Sequence, residues 1–360
     1  MKKKNIALLK GDGIGPEVVE QAVKVLRALE ERAQVQFNFT PASIGAEAIY
    51  KTGNPLPDET LEICKSADAI LFGAIGSPEF DNNPDAKVRP EQGLLKLRKE
   101  LGLYSNIRPV KLFSSISHIS PLKEEIIRNV DFIVFRELTG GIYFGKKELS
   151  ADGKSASDLC EYSESEILRI AKLAFESART RKNKVTLVDK ANVLETSRLW
   201  RRVVKEFSRK YPDVELETMY VDNAAMKFIM NPSSFDVVLT ENMFGDILTD
   251  EASVISGSLG LMPSASVGNK VSLYEPIHGS YPEAAGKNIA NPIGAILSAA
   301  MMLEYSFGMK TESEMIVKAV DDALNGGIVT KDLNPQNFYF TSEVGDTIAS
   351  MIRKEVVEFA

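Results

Sequence analysis

The first hundred residues alternate short apolar runs with helical patterns, and no other feature of the chain narrows its fold so far. "NIALL" precedes a helix expected over 16–31, "VQFNF" one over 57–66, and "AILFGAIG" one over 92–101. That rhythm predicts βαβ units around a parallel or mixed sheet covered on both faces. With 360 residues, the chain exceeds the size at which a single core usually stops growing, so two domains are expected.

The rhythm breaks near residue 104. "DFIVFREL", "GIYFGKKEL" and "SDLCEY" follow one another closely, which predicts antiparallel hairpins and puts Tyr143 in a strand beside Gly140 and Gly141. Ser163 and Glu166 form a capping box for a helix to about 182. "KVTLVDKA" then reads as a strand, 195–211 as a helix and "FDVVLTEN" as a buried strand. From "NPIGAILSAAMMLEYSFG" onward the chain is helix-rich, and no Pro/Gly/Ser-rich linker or internal repeat marks a boundary. The expectation is a discontinuous first domain, 1–103 plus 256–360, around an inserted second, 104–255.

Charge narrows the partners. Fifty acidic against 43 basic residues leave a net charge of −7, with no electrostatic footprint for nucleic acid or a membrane surface. The apolar run after the N-terminal lysines is too short for a signal-peptide core, and no stretch approaches a membrane span. Cys64 and Cys160 are the only cysteines, which rules out a disulfide framework and fits a reducing cytoplasm.

"GDGIGPEV" stands between a strand and a helix, where a dinucleotide-binding fold places its pyrophosphate. Gly11, Gly13 and Gly15 alternate strictly instead of following G-x-G-x-x-G, Pro16 has no N–H to offer, and Asp12 and Glu17 are acidic. A plain strand-to-helix turn with Pro16 at the first helical position fits better. Gly153-Lys154-Ser155 resembles the tail of a P-loop, but Glu148 stands where its first glycine belongs.

Candidate chemistry lies elsewhere. In "TENMFGDILTDEAS", Asp246 and Asp250 are four apart on an expected helix and project from one face. Like charges at that spacing repel, and a divalent cation compensates them; all-oxygen ligation selects Mg2+ or Mn2+ over zinc. The plainer alternative is a solvated helix face. Arg98, Arg108 and Arg136 lie in or beside apolar stretches, where a guanidinium needs an anion. Converging, they would read a di- or tricarboxylate; singly, each could be a surface salt bridge. Lys190, at the end of a strand, and Tyr143 would supply a general base and a general acid, or be structural. Residues 274–292 read as a long ordered loop holding a lone histidine, His278. Glu283 in that loop could accept hydrogen bonds from a ribose diol.

Taken in order, "GDGIGPEV", "LRKELGLYSNIRPVK", "RELTGGIYFG", "DKANVL", "YVDNAAM", "NMFGDILTDEAS" and "YEPIHGSYPEAAGKNIANP" run nearly end to end. On them the chain resembles the isocitrate/isopropylmalate dehydrogenase family of metal-dependent β-hydroxyacid oxidative decarboxylases. The resemblance implies a two-domain α/β fold with a mixed sheet and no Rossmann fold. The glycine turn would border the active-site cleft and residues 278–291 would wrap the adenosine of NAD. It places Ile14, Glu91, His278, Gly279, Ser280, Glu283, Ala284, Asn291 and Asp332 around that cofactor. Arg98, Arg108 and Arg136 are implied to bind the carboxylates of a malate-type substrate. Asp222, Asp246 and Asp250 are implied to hold Mg2+ or Mn2+, with Asp222 also beside the substrate.

Lys190 is implied to help remove the C2 hydroxyl proton and Tyr143 to protonate C3 after CO2 leaves. Glu91, Leu94, Leu95 and Val193 are implied to line the C3 side, and apolar Leu94 and Val193 suit an isopropyl group. The implied substrate is therefore 3-isopropylmalate, with homoisocitrate, isocitrate, tartrate and D-malate as alternatives. Lys190 and Asp222 are implied to reach the neighbouring subunit's cleft, giving a homodimer with shared sites. The chain departs from the family's common "HGSAPDIAG" with "HGSYPEAAG": Tyr281 replaces a small residue and Glu283 is one methylene longer. NADP-dependent relatives carry a lysine and a tyrosine at the positions of Glu283 and Ala284, so an acid there predicts NAD. A catalytically silent regulatory subunit or a non-enzymatic nucleotide-binding module is disfavoured, because the arginines, lysine, tyrosine and three aspartates are all present.

Overall fold

The structure is a computed structural model that describes residues 2–83 and 86–354. In chain order the strands are β1 (Lys2–Gly11), β2 (Val35–Pro41), β3 (Ala69–Ala74), β4 (Ser105–Lys111), β5 (Asp131–Glu137), β6 (Lys147–Leu149), β7 (Ala156–Asp158), β8 (Lys184–Asp189), β9 (Glu215–Tyr220), β10 (Val237–Thr240), β11 (Pro263–Val267) and β12 (Leu273–Pro276). The chain divides into two compact units. The first runs through Leu103, takes in Phe113–Ile119 and resumes at Ser256; the second is Tyr104–Leu112 with Ser120–Ile255.

In the first unit the strand order is β2-β1-β3-β12-β11. β1 runs parallel to β2 and β3, β3 is parallel to β12, and β11 is antiparallel to β12. Ile6, Ala7, Leu8 and Leu9 are consecutive and all buried, as a strand covered on both faces requires. The Gly15–Ala33 helix carries Pro near its start and buries Val18, Val19, Ala22, Val25, Leu26 and Leu29 along one stripe. The Ile293–Tyr305 helix buries every residue from Ile293 to Leu303, and a helix apolar all round belongs inside a core.

In the second unit the order is β4-β5-β10-β8-β9, with β4 antiparallel to β5 and the other neighbours parallel. Phe132, Phe228 and Phe235 pack with ring centroids 4.7–5.8 Å apart, each buried ring contributing about 2–3 kcal/mol. The Glu164–Arg179 helix opens on the expected box: Ser163 Oγ accepts from Glu166 N at 3.3 Å, and Ser163 N donates to Glu166 Oε2 at 2.7 Å. The helix stops short of 182 because Asn183, at φ 57°, turns back to donate to Ala178 O at 3.0 Å. The Glu195–Ser208 helix also ends earlier than expected.

The segment expected to form hairpins does so only in part. β6 and β7 pair antiparallel, but only Lys147–Leu149 of "GIYFGKKEL" is a strand. Tyr143 lies in a turn closed by Phe144 N and Gly145 N on Gly141 O, both at 3.1 Å. Gly141, at φ 75°, turns the chain out of the extended path, and Tyr162 Oη lies 2.1 Å from where a Cβ would stand. The Ala46–Thr52 helix was not legible in the sequence, and the expected loop 274–292 begins inside β12. Among the described residues no helix is long and apolar enough to cross a membrane.

Candidate active site

The glycine turn is a bracket for backbone. Gly13 adopts φ 58°, and a Cβ there would fall 1.9 Å from Ser280 O, so only glycine lets Ile14 N reach that oxygen at 2.8 Å. Asp12 is buried, and its carboxylate accepts from Ala46 N at 2.9 Å, Gly76 N at 3.0 Å and Glu47 N at 3.3 Å. Burial pushes its pKa up, and those three N–H groups pull it down. Glu17 accepts from Gly286 N and, at 3.1 Å, from Asn288 N. The acidic residues that speak against a phosphate cradle serve here as acceptors for neighbouring loops.

A cavity of about 460 Å3 opens in the first unit. Of the residues expected around NAD, Ile14, His278, Gly279, Asn291 and Asp332 line it. Asp332 is oriented by Ser258 Oγ at 2.5 Å, Thr330 Oγ1 at 2.5 Å and Asn291 Nδ2 at 3.1 Å. His278 Nε2 is buried with no hydrogen-bond partner among the described residues, and burial lowers the imidazole's pKa. Ser280, Glu283, Ala284 and Glu91 do not line this cavity. Ala284 is fully buried and Glu283 is exposed on the short turn Pro282–Ala284. Glu91 Oε1 lies 3.0 Å from where a Cβ on Gly76 would stand. Ser258, Tyr281 and Lys331 are among the other residues of its wall; of these three only Tyr281 had a sequence signal, as a departure from the family pattern.

A second cluster forms in the other unit. Asp246 and Asp250 sit on the Asn242–Ser256 helix, while Arg108 and Arg136 come from adjacent strands β4 and β5, where Asn106 faces Arg136 in register. Both arginines are buried, at 6% and 2% exposure, against 35% and 62% for the aspartate side chains. Arg136 Nη1 bonds Asp246 Oδ1, and Arg108 approaches Asp246 at 3.6 Å and Asp250 at 3.7 Å. Arg108 also donates to Asn106 Oδ1 at 2.6 Å and Thr249 Oγ1 at 2.5 Å. Tyr143 Oη donates to Asp246 Oδ2 at 2.9 Å. Burial, then the Asp246 charge, raises the phenol's pKa, so the hydroxyl holds its proton at neutral pH. Burial also raises Asp250, with Asp246 adding to the rise and Arg108 and Arg136 opposing it.

Three arginines were expected together. Arg98, on the Pro90–Glu100 helix of the first unit, is paired with Glu275 at 2.8 Å, and its buried Nε has no hydrogen-bond partner among the described residues. On the same helix Leu94 packs into the core with Leu56, Leu61 and Leu97, and Leu95 is half-buried. Lys190 follows β8 directly and bonds Asp222 at the start of the Val221–Met230 helix, lowering that carboxyl's pKa. Val193 is 60% exposed beyond Lys190. Among the described residues no three acidic, His or Cys side chains form a metal-sized cluster, so Asp222 does not join Asp246 and Asp250 within one chain.

The donors suit the groups expected. Asp246 and Asp250 are both hard oxygen donors, and Asp250, disfavoured as a carboxylate by burial and by the Asp246 charge, gains from a bound cation; the pair fits Mg2+ or Mn2+. The cavity's volume and its few convergent polar groups fit the adenosine part of a dinucleotide.

Comparison with known proteins gives the family. The model of the isocitrate/isopropylmalate dehydrogenase family matches residues 5–348, and the chain belongs to that family of oxidoreductases. A 3-isopropylmalate dehydrogenase of Aquifex aeolicus is 54% identical over 359 residues, covering 98% of each chain. That of Bacillus subtilis is 52% identical over the same length, again covering 98% of each. Among solved structures, isocitrate dehydrogenase from Methylococcus capsulatus superposes with a TM-score of 0.88 at 35% identity, covering 98% of this chain and all of that one. A β-decarboxylating dehydrogenase from Thermococcus kodakarensis gives 0.80 at 36% identity, covering 99% and 98%.

Proposed function

We propose that the chain is an NAD-dependent 3-isopropylmalate dehydrogenase of leucine biosynthesis, forming 4-methyl-2-oxopentanoate and CO2. The observation that carries the reading is the convergence of buried Arg108 and Arg136 on Asp246 and Asp250, with the Tyr143 hydroxyl on the same carboxylate. Buried guanidinia beside solvent-accessible carboxylates suit an anionic substrate held at a cation.

When bound, a divalent cation would supply Lewis-acid charge and NAD a hydride acceptor at the substrate's C2. Asp246 and Asp250 would hold the cation together with Asp222 of the partner subunit. Arg108 and Arg136 clamp the malate carboxylates, and Arg98, now paired with Glu275, is assigned to the same work. Lys190 takes the C2 hydroxyl proton through water. Tyr143, whose raised pKa keeps its proton in place, delivers it to C3 once CO2 has left. Glu91, Leu94, half-buried Leu95 and Val193 are assigned to the C3 substituent, and Glu91 also to the cofactor. Ile14, His278, Gly279, Ser280, Ala284, Asn291 and Asp332 are assigned to NAD, and Glu283 to its adenosine ribose.

The proposal includes a homodimer. Met226 and Met230, at 54% and 65% exposure, and Ile247, at 61%, lie on the helices that carry Asp222 and Asp246. Exposed apolar side chains of this size on the two helices that carry Asp222 and Asp246 favour cover by a second copy. The test is a panel of 3-substituted malates with NAD or NADP and Mg2+, followed by reduced-nucleotide absorbance. Preference for 3-isopropylmalate with NAD is expected; preference for isocitrate or a tartrate, or for NADP, would overturn the assignment.

A further inference from the structure

We infer that Asn242 is a positioning residue that sets both Arg136 and the turn carrying Tyr143. The inference rests on the reading of Arg136 as carboxylate clamp and Tyr143 as proton donor. Asn242 opens the helix that bears Asp246 and is 1% exposed. Its Oδ1 accepts from Arg136 Nε at 3.1 Å and from Arg136 Nη2 at 2.8 Å. One oxygen bridging two donors on an edge of the planar guanidinium removes its rotational freedom and directs Nη1 to Asp246.

The other end of the same amide reaches the turn. Asn242 Nδ2 donates to Gly140 O at 3.2 Å, and Asn242 N donates to Tyr162 Oη at 3.0 Å. The orientation of the amide follows from chemistry: guanidinium only donates, so Oδ1 must face Arg136, and a carbonyl only accepts, so Nδ2 must face Gly140. Glu137 secures the opposite side of this turn by accepting Thr139 N at 2.9 Å and Gly140 N at 2.7 Å. Gly245 completes the fit, since a Cβ there would come within 2.7 Å of Arg136 Cγ. Only an amide of this length supplies an acceptor to the arginine and a donor to the turn at once. Aspartate lacks the donor and leucine lacks both.

The experiment begins with the parent enzyme on the malate panel, and the variants are compared on whichever malate it turns over. A wrong substrate assignment therefore shows in the parent, separately from any effect of Asn242. For Asn242→Ala the expected outcome is a loss of roughly 100-fold in kcat/KM for the malate, the scale of an ångström's misplacement, with KM for the nucleotide unchanged. Asn242→Asp keeps an oxygen toward Arg136 but sets another against Gly140 O. Its malate KM should stay near the parent's while kcat falls at least about tenfold. Malate kinetics within threefold of parent in Asn242→Ala, or malate and nucleotide KM rising together, would overturn the inference. If Asn242→Ala does not fold, Asn242→Asp decides: parental kcat overturns it, and lowered kcat at parental malate KM supports it. A parent inactive on every malate removes the functional reading and this inference with it.

Discussion

Glu17 accepts the backbone N–H of Asn288 at 3.1 Å and that of Gly286, across 271 and 269 residues of chain. The first turn of the helix after the glycine motif thus holds the loop expected to wrap adenosine. Charge-assisted bonds of this kind contribute about 1–2 kcal/mol together when partly open to solvent. Glu17→Ala should therefore raise KM for NAD roughly tenfold and leave the malate KM in place. Titration by nucleotide fluorescence checks this, and unaltered NAD affinity would show that the loop holds without it.

The metal prediction rests on the two carboxylates of the Asn242–Ser256 helix. EDTA should abolish turnover and Mg2+ or Mn2+ restore it, while Asp246→Asn stays inactive at any metal concentration. Full turnover of exhaustively chelated parent enzyme would sink the assignment.

The proposed shared sites can be tested by complementation. If Lys190 and Tyr143 serve opposite clefts, mixing inactive Lys190→Ala and Tyr143→Ala subunits gives heterodimers with one intact site. Statistical exchange puts about half of the dimers in that state, so recovery should approach roughly a quarter of parental activity. Native mass spectrometry showing exchange without recovery would place both groups in one subunit's cleft.

Glu241 predicts a pH-dependent stability. It is 4% exposed, its Oε2 has no hydrogen-bond partner among the described residues, and burial, with Asp189 adding, pushes its pKa up to about 7. A folded pKa above the unfolded value means stability present below about pH 4.5 and lost as pH rises through about 7, amounting to about 3 kcal/mol. Glu241→Gln should match the parent's melting temperature near pH 4.5 and exceed it by at least about 4 °C at pH 8. Equal melting temperatures at both pH values would show the carboxylate is accommodated.

Local signals were legible where their physics is local. The βα alternation, Pro16 at a helix start, the Ser163–Glu166 box and the common face of Asp246 and Asp250 each depend on a few adjacent residues. The family's motifs added the α/β mixed-sheet fold without a dinucleotide fingerprint. The Ala46–Thr52 helix was missed because its first N–H groups are capped by Asp12, 34 residues upstream. Tyr143 was misplaced in a strand because "GIYF" has strand-forming residues, while the turn is imposed by Gly141 and by Tyr162 packed against it.

By itself the sequence determined the periodicities, the turn chemistry and the family, since all of these are carried by residue type and spacing. Only the tertiary structure decided which donors meet which acceptors. Arg98 is neutralised by Glu275, Arg136 is oriented by Asn242, and the acids of the glycine turn hold backbone from distant loops. The physical reason is that a buried charge must find its partner wherever closure of the sheets brings one, and that distance in the chain carries no record of it.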